Sequence, residues 1–209
     1  TSREAQTLLQ SNCQLWSSQV LRPTIDQLQE QYSLSIWLDR HIDSGQTVSL
    51  SRMEDSTTLG DELQRMVVGC GAAGGLVENI YLVAPANRLA RIQRSAVVLH
   101  GQLASARKSI ANESRAISWP DITSSNELIE LMQRTWDIEL VSTQQPQNPL
   151  PQKLLPHDLL HQGQLPRCSL ATQLALVLGG FDLQATLEAS PKEAPVGSSQ
   201  DPLRLKVQP

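Results

Sequence analysis

The sequence predicts an α+β protein of two small βαββαβ-type modules joined by a long amphipathic helix. Three observations carry this. The first is a pattern written twice. Trp16, Ile25 and Leu28 are matched by Trp119, Leu128 and Leu131 at an offset of 103 (119 − 16, 128 − 25, 131 − 28), and Leu59, Leu63, Val67 and Gly69 by Leu170, Leu174, Leu178 and Gly180 at an offset of 111 (170 − 59). The difference, 111 − 103 = 8, reads as an insertion in the second copy, around the Pro-rich stretch Pro146–Pro156. The second observation is that each copy alternates stretches of helical and strand periodicity. The third is a heptad seam between the copies: Leu89, Ile92, Ala96, Leu99, Leu103, Ala106 and Ile110 at spacings of 3 and 4. The division expected is an N-terminal arm (1–13), a first module (14–85), a linker helix (86–113) and a second, divergent module (114–209).

Each element has a local reason. Leu8-Leu9 suits a short lead-in helix or a flexible arm. Val20 to Tyr32 reads as a helix with Pro23 in its first turn, where a missing N–H costs nothing, and Leu21, Ile25 and Leu28 on one face. Leu34 to Leu38 alternates as a strand, Asp43-Ser-Gly-Gln46 is a turn, and Thr47 to Ser51 is a second strand. Ser56 or Thr57 is the expected cap of the next helix, whose first turn holds Asp61 and Glu62 and whose stripe is Leu59, Leu63, Met66 and Val67. Gly69 and Gly71 end it, and Asn79 to Val83 closes the module as a strand. In the second copy, Ser124 or Ser125 caps a helix to Trp136 and Ile138–Val141 is a strand. Residues 144–156 form an exposed loop, Cys168–Leu178 is a helix, and Asp182–Glu188 with Leu203–Val207 forms a hairpin.

Composition narrows the function. Hydrophobic residues make up 40% of the chain and charged residues 18%, which suits packed cores. Aromatics are only 3%, so those cores are aliphatic. A net charge of −4 argues against nucleic-acid binding, which needs concentrated Lys and Arg. No apolar run is long enough to span a membrane. The N-terminal Thr-Ser-Arg-Glu-Ala, with no initiator Met or apolar core, reads as a mature or trimmed end. Cys13, Cys70 and Cys168 lack metal-like spacing; they read as buried free thiols, with a Cys13–Cys70 bridge as the alternative in an oxidising compartment.

The run from Leu28 through Leu34-Ser-Ile-Trp-Leu-Asp-Arg-His-Ile-Asp and Thr47-Val-Ser-Leu50, then Thr58-Leu59, Leu63, Met66-Val67 and Ile80-Tyr-Leu-Val83, resembles the STN domain, the secretin and TonB N-terminal short domain. The resemblance covers the first copy nearly end to end. In the second it holds through Leu128–Leu140 and Ser169–Phe181 and departs at the Pro-rich insertion. It implies a periplasmic or otherwise exported setting in the bacterial envelope, a non-enzymatic role and protein partners. Neither an outer-membrane barrel nor a pore segment is included in the match.

Three motifs invite catalytic readings. Asp39-Arg40-His41-x-Asp43 reads better as a strand end and turn, with Asp capping backbone N–H groups and Arg solvated. His157-Asp-Leu-Leu-His161 would put two imidazoles on one helix face for a metal-dependent hydrolase, yet Pro156, Gly163 and Pro166 interrupt it and the Glu of HExxH is missing. Gly69-Cys-Gly-Ala-Ala-Gly-Gly75 follows a helix instead of opening one, so it reads as a helix stop and strand entry, not a phosphate loop. No catalytic residue, cofactor or metal is therefore assigned. The expected interaction surface is Trp37 with Leu89, Ile92, Leu99 and Leu103. The seam also admits a homo-oligomer, and the helix's basic residues, Arg88, Arg91, Arg94, Arg107 and Lys108, form a solvated face or one that meets an anionic surface.

Overall fold

The computed structural model describes residues 2–13, 19–48, 57–142, 155, 158–160, 162–188 and 203–209. It is a mixed α and β structure that divides into two compact units, Thr1–Gln93 and Arg94–Pro209.

The first unit runs α1 (Ser2–Leu9), β1 (Asn12–Cys13), β2 (Gln19–Val20), α2 (Leu21–Tyr32), β3 (Ser35–Leu38), β4 (Thr47–Val48), β5 (Thr57–Thr58), α3 (Leu59–Gly69), β6 (Ala73–Val77) and β7 (Ile80–Ala84), then the start of α4 (Ala86–Ala106). Its three-stranded sheet has the order β3-β7-β6, with β3 parallel and β6 antiparallel to β7; β2 pairs with β4 and β1 with β5, both antiparallel. Helix α2 buries Leu21, Thr24, Ile25 and Leu28, a helical stripe that packs with Leu59, Leu63, Met66 and Val67 of α3 over Ile36, Tyr81 and Val83 of the sheet. Each large aliphatic side chain so buried contributes about 1.5–3 kcal/mol.

The second unit continues α4 and adds α5 (Lys108–Asn112), β8 (Arg115–Trp119), β9 (Thr123–Ser124), α6 (Ser125–Trp136), β10 (Ile138–Ser142), β11 (Leu159–Leu160), β12 (Gly163–Cys168), α7 (Leu170–Gly180), β13 (Gln184–Leu187) and β14 (Leu203–Gln208). The sheet order is β10-β14-β13, with β9 paired to β11 and β8 to β12. Each pairing has the same sense as its counterpart in the first unit.

The register between the units corrects the offsets read from sequence. Helices α2 and α6 correspond at 104 (125 − 21), not 103. Left-handed C-caps fall at Ser33 and Asp137. The Gln29 side chain accepts from Ile36 N at 2.8 Å, and Gln133 accepts from Leu140 N at the same distance. At this offset the buried positions of α2 fall on Ser125, Leu128, Ile129 and Met132. A one-residue slip turns a helix by about 100°, so pairing Leu28 with Leu131 matched residue type but missed the buried stripe. The offset of 111 persists across α3 and α7 (170 − 59). The first insertion is therefore 111 − 104 = 7 residues. Ala84 and Gln208, the partners of Ala73 and Gln184, lie 124 apart (208 − 84), so the β13–β14 connection carries 124 − 111 = 13 more.

Several expected elements differ. The Gly-rich run is the expected helix stop and strand entry, with α3 ending at Gly69, Gly71 left-handed (φ 66°) and a strand starting at Ala73, but that strand is a separate one, β6, which forms a hairpin with β7 around Glu78 (φ 57°). Gly74 is required there, because a Cβ would come within 2.1 Å of the Tyr81 hydroxyl. Thr58, not Ser56 or Thr57, caps α3, since only Thr58 stands three residues before Asp61 and completes a reciprocal capping box. Ser124 caps α6 with Glu127 in the same way. Cys168 belongs to β12, and α7 begins at Leu170 under the Ser169 cap. The stretch bracketed by prolines includes β11 and β12, and Pro166 is accommodated at a register irregularity between Leu165 and Cys168. Leu155, placed in an exposed loop, is buried. The rest of residues 144–156, the end of the Thr47–Ser51 strand, and Trp16 lie outside the described residues. The linker helix is not continuous: Arg107 leaves helical geometry (φ −142°, ψ 79°) between α4 and α5.

Candidate interaction surface

At the end of β3, the carboxylate of Asp39 is almost wholly buried. Its Oδ1 accepts the His41 backbone N–H at 2.9 Å and lies 2.9 Å from His41 Nδ1, while Oδ2 accepts Arg88 Nε at 3.3 Å. The expected Asp cap on backbone N–H is present. Arg88, expected on a solvated face, is instead buried in an ion pair that ties the start of α4 to the strand end. With both oxygens of Asp39 engaged, this cluster works as a latch.

A second polar centre occurs at equivalent places in the two units. In the first, Cys13 of β1, Tyr32 at the end of α2 and Glu62 of α3 converge. Burial pushes the Cys13 thiol up, a hydrogen bond with Tyr32 opposes this, and the Glu62 charge raises it further. Glu62, buried, accepts Arg65 Nη1 at 2.8 Å. In the second unit, Arg115, Trp136 and Gln173 occupy these places: Trp136 is Tyr32 shifted by 104 and Gln173 is Glu62 shifted by 111. Trp136 Nε1 donates to Gln173 Oε1 at 2.7 Å, and Gln173 Nε2 donates to the Arg115 carbonyl at 2.5 Å. The Arg115 guanidinium stacks 4.9 Å from the Trp136 ring, donates to the Thr135 carbonyl, and pairs with Glu113 at 2.6 Å. A thiol held protonated by burial is a poor nucleophile, and Gln173 and Trp136 do not titrate in water, so these centres are suited to holding elements together.

Helix α4 supplies the third arrangement. Gln93 Nε2 donates to the Leu76 carbonyl of edge strand β6 at 3.1 Å. In the other unit, Gln102 Oε1 accepts from Leu187 N of edge strand β13 at 2.9 Å. Leu76 and Leu187 are equivalent at the 111 offset (187 − 76), so the same edge position is capped by a glutamine in both units. Side chains thus occupy backbone groups that an edge strand would otherwise offer to another chain. No sequence signal marks this, because a glutamine on a helix is unremarkable until its partner strand is known.

The anticipated surface residues are mostly not at the surface. Ile92, Leu99 and Leu103 are at most 1% exposed and Leu89 is half-buried, because the seam is covered within the chain. Trp37 is half-buried and stands opposite Leu82 in the β3–β7 register. The exposed side of α4 is the opposite one. Cys13, Cys70 and Cys168 are free thiols. His157 and His161 lie outside the described residues, and among the described residues no group of three His, Cys, Asp or Glu is placed to hold a metal. No described helix is long and apolar enough to cross a membrane. No family model, curated protein or solved structure matches the chain.

Proposed function

We propose that this chain is a non-catalytic protein-interaction or scaffold unit of the bacterial cell envelope, built from two STN-like α+β modules. The observation that carries the reading is the repeat, among the described residues, of each strand pairing in the two units, around polar centres that are Cys-Tyr-Glu in one and Arg-Trp-Gln in the other. A duplication that keeps its frame while changing its interior polar groups is under a demand for shape, which suits docking. The envelope setting rests on the resemblance of the first copy to STN domains, whose members sit at the periplasmic ends of secretins and TonB-dependent transducers.

The test is affinity capture with the full chain from envelope and cytosolic fractions, followed by titration of purified partner against purified chain. A saturable complex with an envelope protein is expected. Stoichiometric zinc in untagged protein, lost in His157→Ala/His161→Ala, would replace this reading with the metal-dependent hydrolase.

A further inference from the structure

We propose that the outer face of α4 in the second unit docks an acidic amphipathic helix of a protein partner; the proposal rests on the scaffold reading and names the partner's chemistry. Val97 and Val98 are 72% and 48% exposed, consecutive apolar side chains in a helix whose larger apolar residues all turn inward. Gly101 stands one turn further on. Among the described residues nothing lies within 4 Å of where a Cβ would be, so no packing among them requires a glycine at this mid-helix position. With Ala104 beyond it, this face would let another helix approach to about 8–10 Å between axes.

Charge selects the occupant. Exposed Arg94 precedes the valines, and exposed Arg107 and Lys108 follow Ala104. No Asp or Glu occurs from Arg94 to Asn112, so this stretch carries only the positive charges of Arg94, Arg107 and Lys108 in a chain of net charge −4. An apolar seam flanked by acids complements this face as charged positions flanking a helical seam set pairing preference. A second copy does not suit it: an antiparallel pair centred on Gly101 would set the Arg94 end of one copy toward the Arg107–Lys108 end of the other. A lipid surface suits it less, since stable interfacial helices present Leu, Phe or Trp to the acyl boundary and this face presents two valines.

The probes are two fluorescein-labelled helical peptides of about three heptads sharing one Ala/Leu seam, flanked by Glu in one and Lys in the other. Both are titrated against the full chain by anisotropy. The Glu-flanked peptide is expected to bind at least about tenfold tighter, and the preference to shrink as salt rises. Val97→Ser/Val98→Ser is expected to lose binding and Arg94→Glu/Lys108→Glu to invert the preference, with circular dichroism and denaturation midpoints verifying that both variants fold.

Equal affinity for the two peptides, or none for either, overturns the proposal. So does Val97- and Val98-dependent capture by phosphatidylserine-containing vesicles in place of peptide, or a dimer in sedimentation that those substitutions dissolve. An envelope partner that binds both variants as well as it binds the native chain removes this surface and leaves the scaffold reading standing. Failure to find any envelope partner counts against the scaffold reading alone.

Discussion

Helices α3 and α7 occupy the same place in the two units and are treated oppositely. In α3, one stripe is buried and Asp61, Gln64 and Val68 face water; in α7, every residue from Leu170 to Gly180 is buried. The polar residue at the equivalent position follows suit. Glu62 pairs with Arg65, itself a third exposed, whereas Gln173, fully enclosed, is a neutral amide satisfied by Trp136 and Arg115. A fully covered helix excludes an unpaired charge, because desolvation of an ion costs several kcal/mol more than that of an amide. One frame therefore supports two polar designs, and the surrounding burial decides which.

The largest test of the charged design is Arg88→Met, which strands the buried Asp39 carboxylate; a loss of about 3–5 kcal/mol in urea unfolding is expected, with the double change Asp39→Asn/Arg88→Met recovering part of it. Exchanging the polar centres comes next. Gln173→Glu sets a carboxylate against the Arg115 carbonyl and should cost about 3 kcal/mol, while Glu62→Gln, whose partner Arg65 is a third exposed, should change stability by about 1 kcal/mol or less. Equal effects at the two sites would end the comparison.

A third test uses pH. Burial pushes the Tyr81 phenol up to about 12, and Leu205 stands at the matching position of the second unit (205 − 81 = 124). The raised pKa means that stability is whole below the ordinary phenol value of 10.0 and falls as pH rises toward the folded value, because only the unfolded chain ionises in that window. The loss should reach about 2–3 kcal/mol and disappear in Tyr81→Phe, read by unfolding at stepped alkaline pH with phenolate absorbance. A last test concerns β6. Gly74→Ala collides with Tyr81 and should cost about 1–3 kcal/mol, whereas in a Tyr81→Leu background, which reproduces the Ala185–Leu205 arrangement of the second unit, the cost should shrink.

Much of the frame was legible because its signals are local. The stripe of α2, the cap at Ser124 and the apolar spacing shared by α3 and α7 follow from patterns within a dozen residues, whereas the cap of α3 was expected at Ser56 or Thr57 and falls on Thr58. The helix offset was misread by one because Leu128 and Leu131 resemble Ile25 and Leu28 in type, while burial falls on Ile129 and Met132. The strand entry after Gly69 was legible, but β6 as a strand of its own was not, because it depends on pairing with β7, with the Tyr81 ring and Gln93 filling the space beside Gly74 and Gly75.

The sequence by itself determined the α+β class, the places of helices α2, α3, α6 and α7, and that one pattern occurs twice, since periodicity and capping act between near neighbours. Only the tertiary structure decided what those elements cover. The heptad of α4 specifies an apolar stripe but not its partner; burial of Ile92, Leu99 and Leu103 turned that stripe inward and left Val97 and Val98 outside. Asp39 finds Arg88 49 residues away, and Gln102 finds Leu187 85 residues away. Such pairings depend on where the folded chain brings distant residues together, which no local spacing encodes.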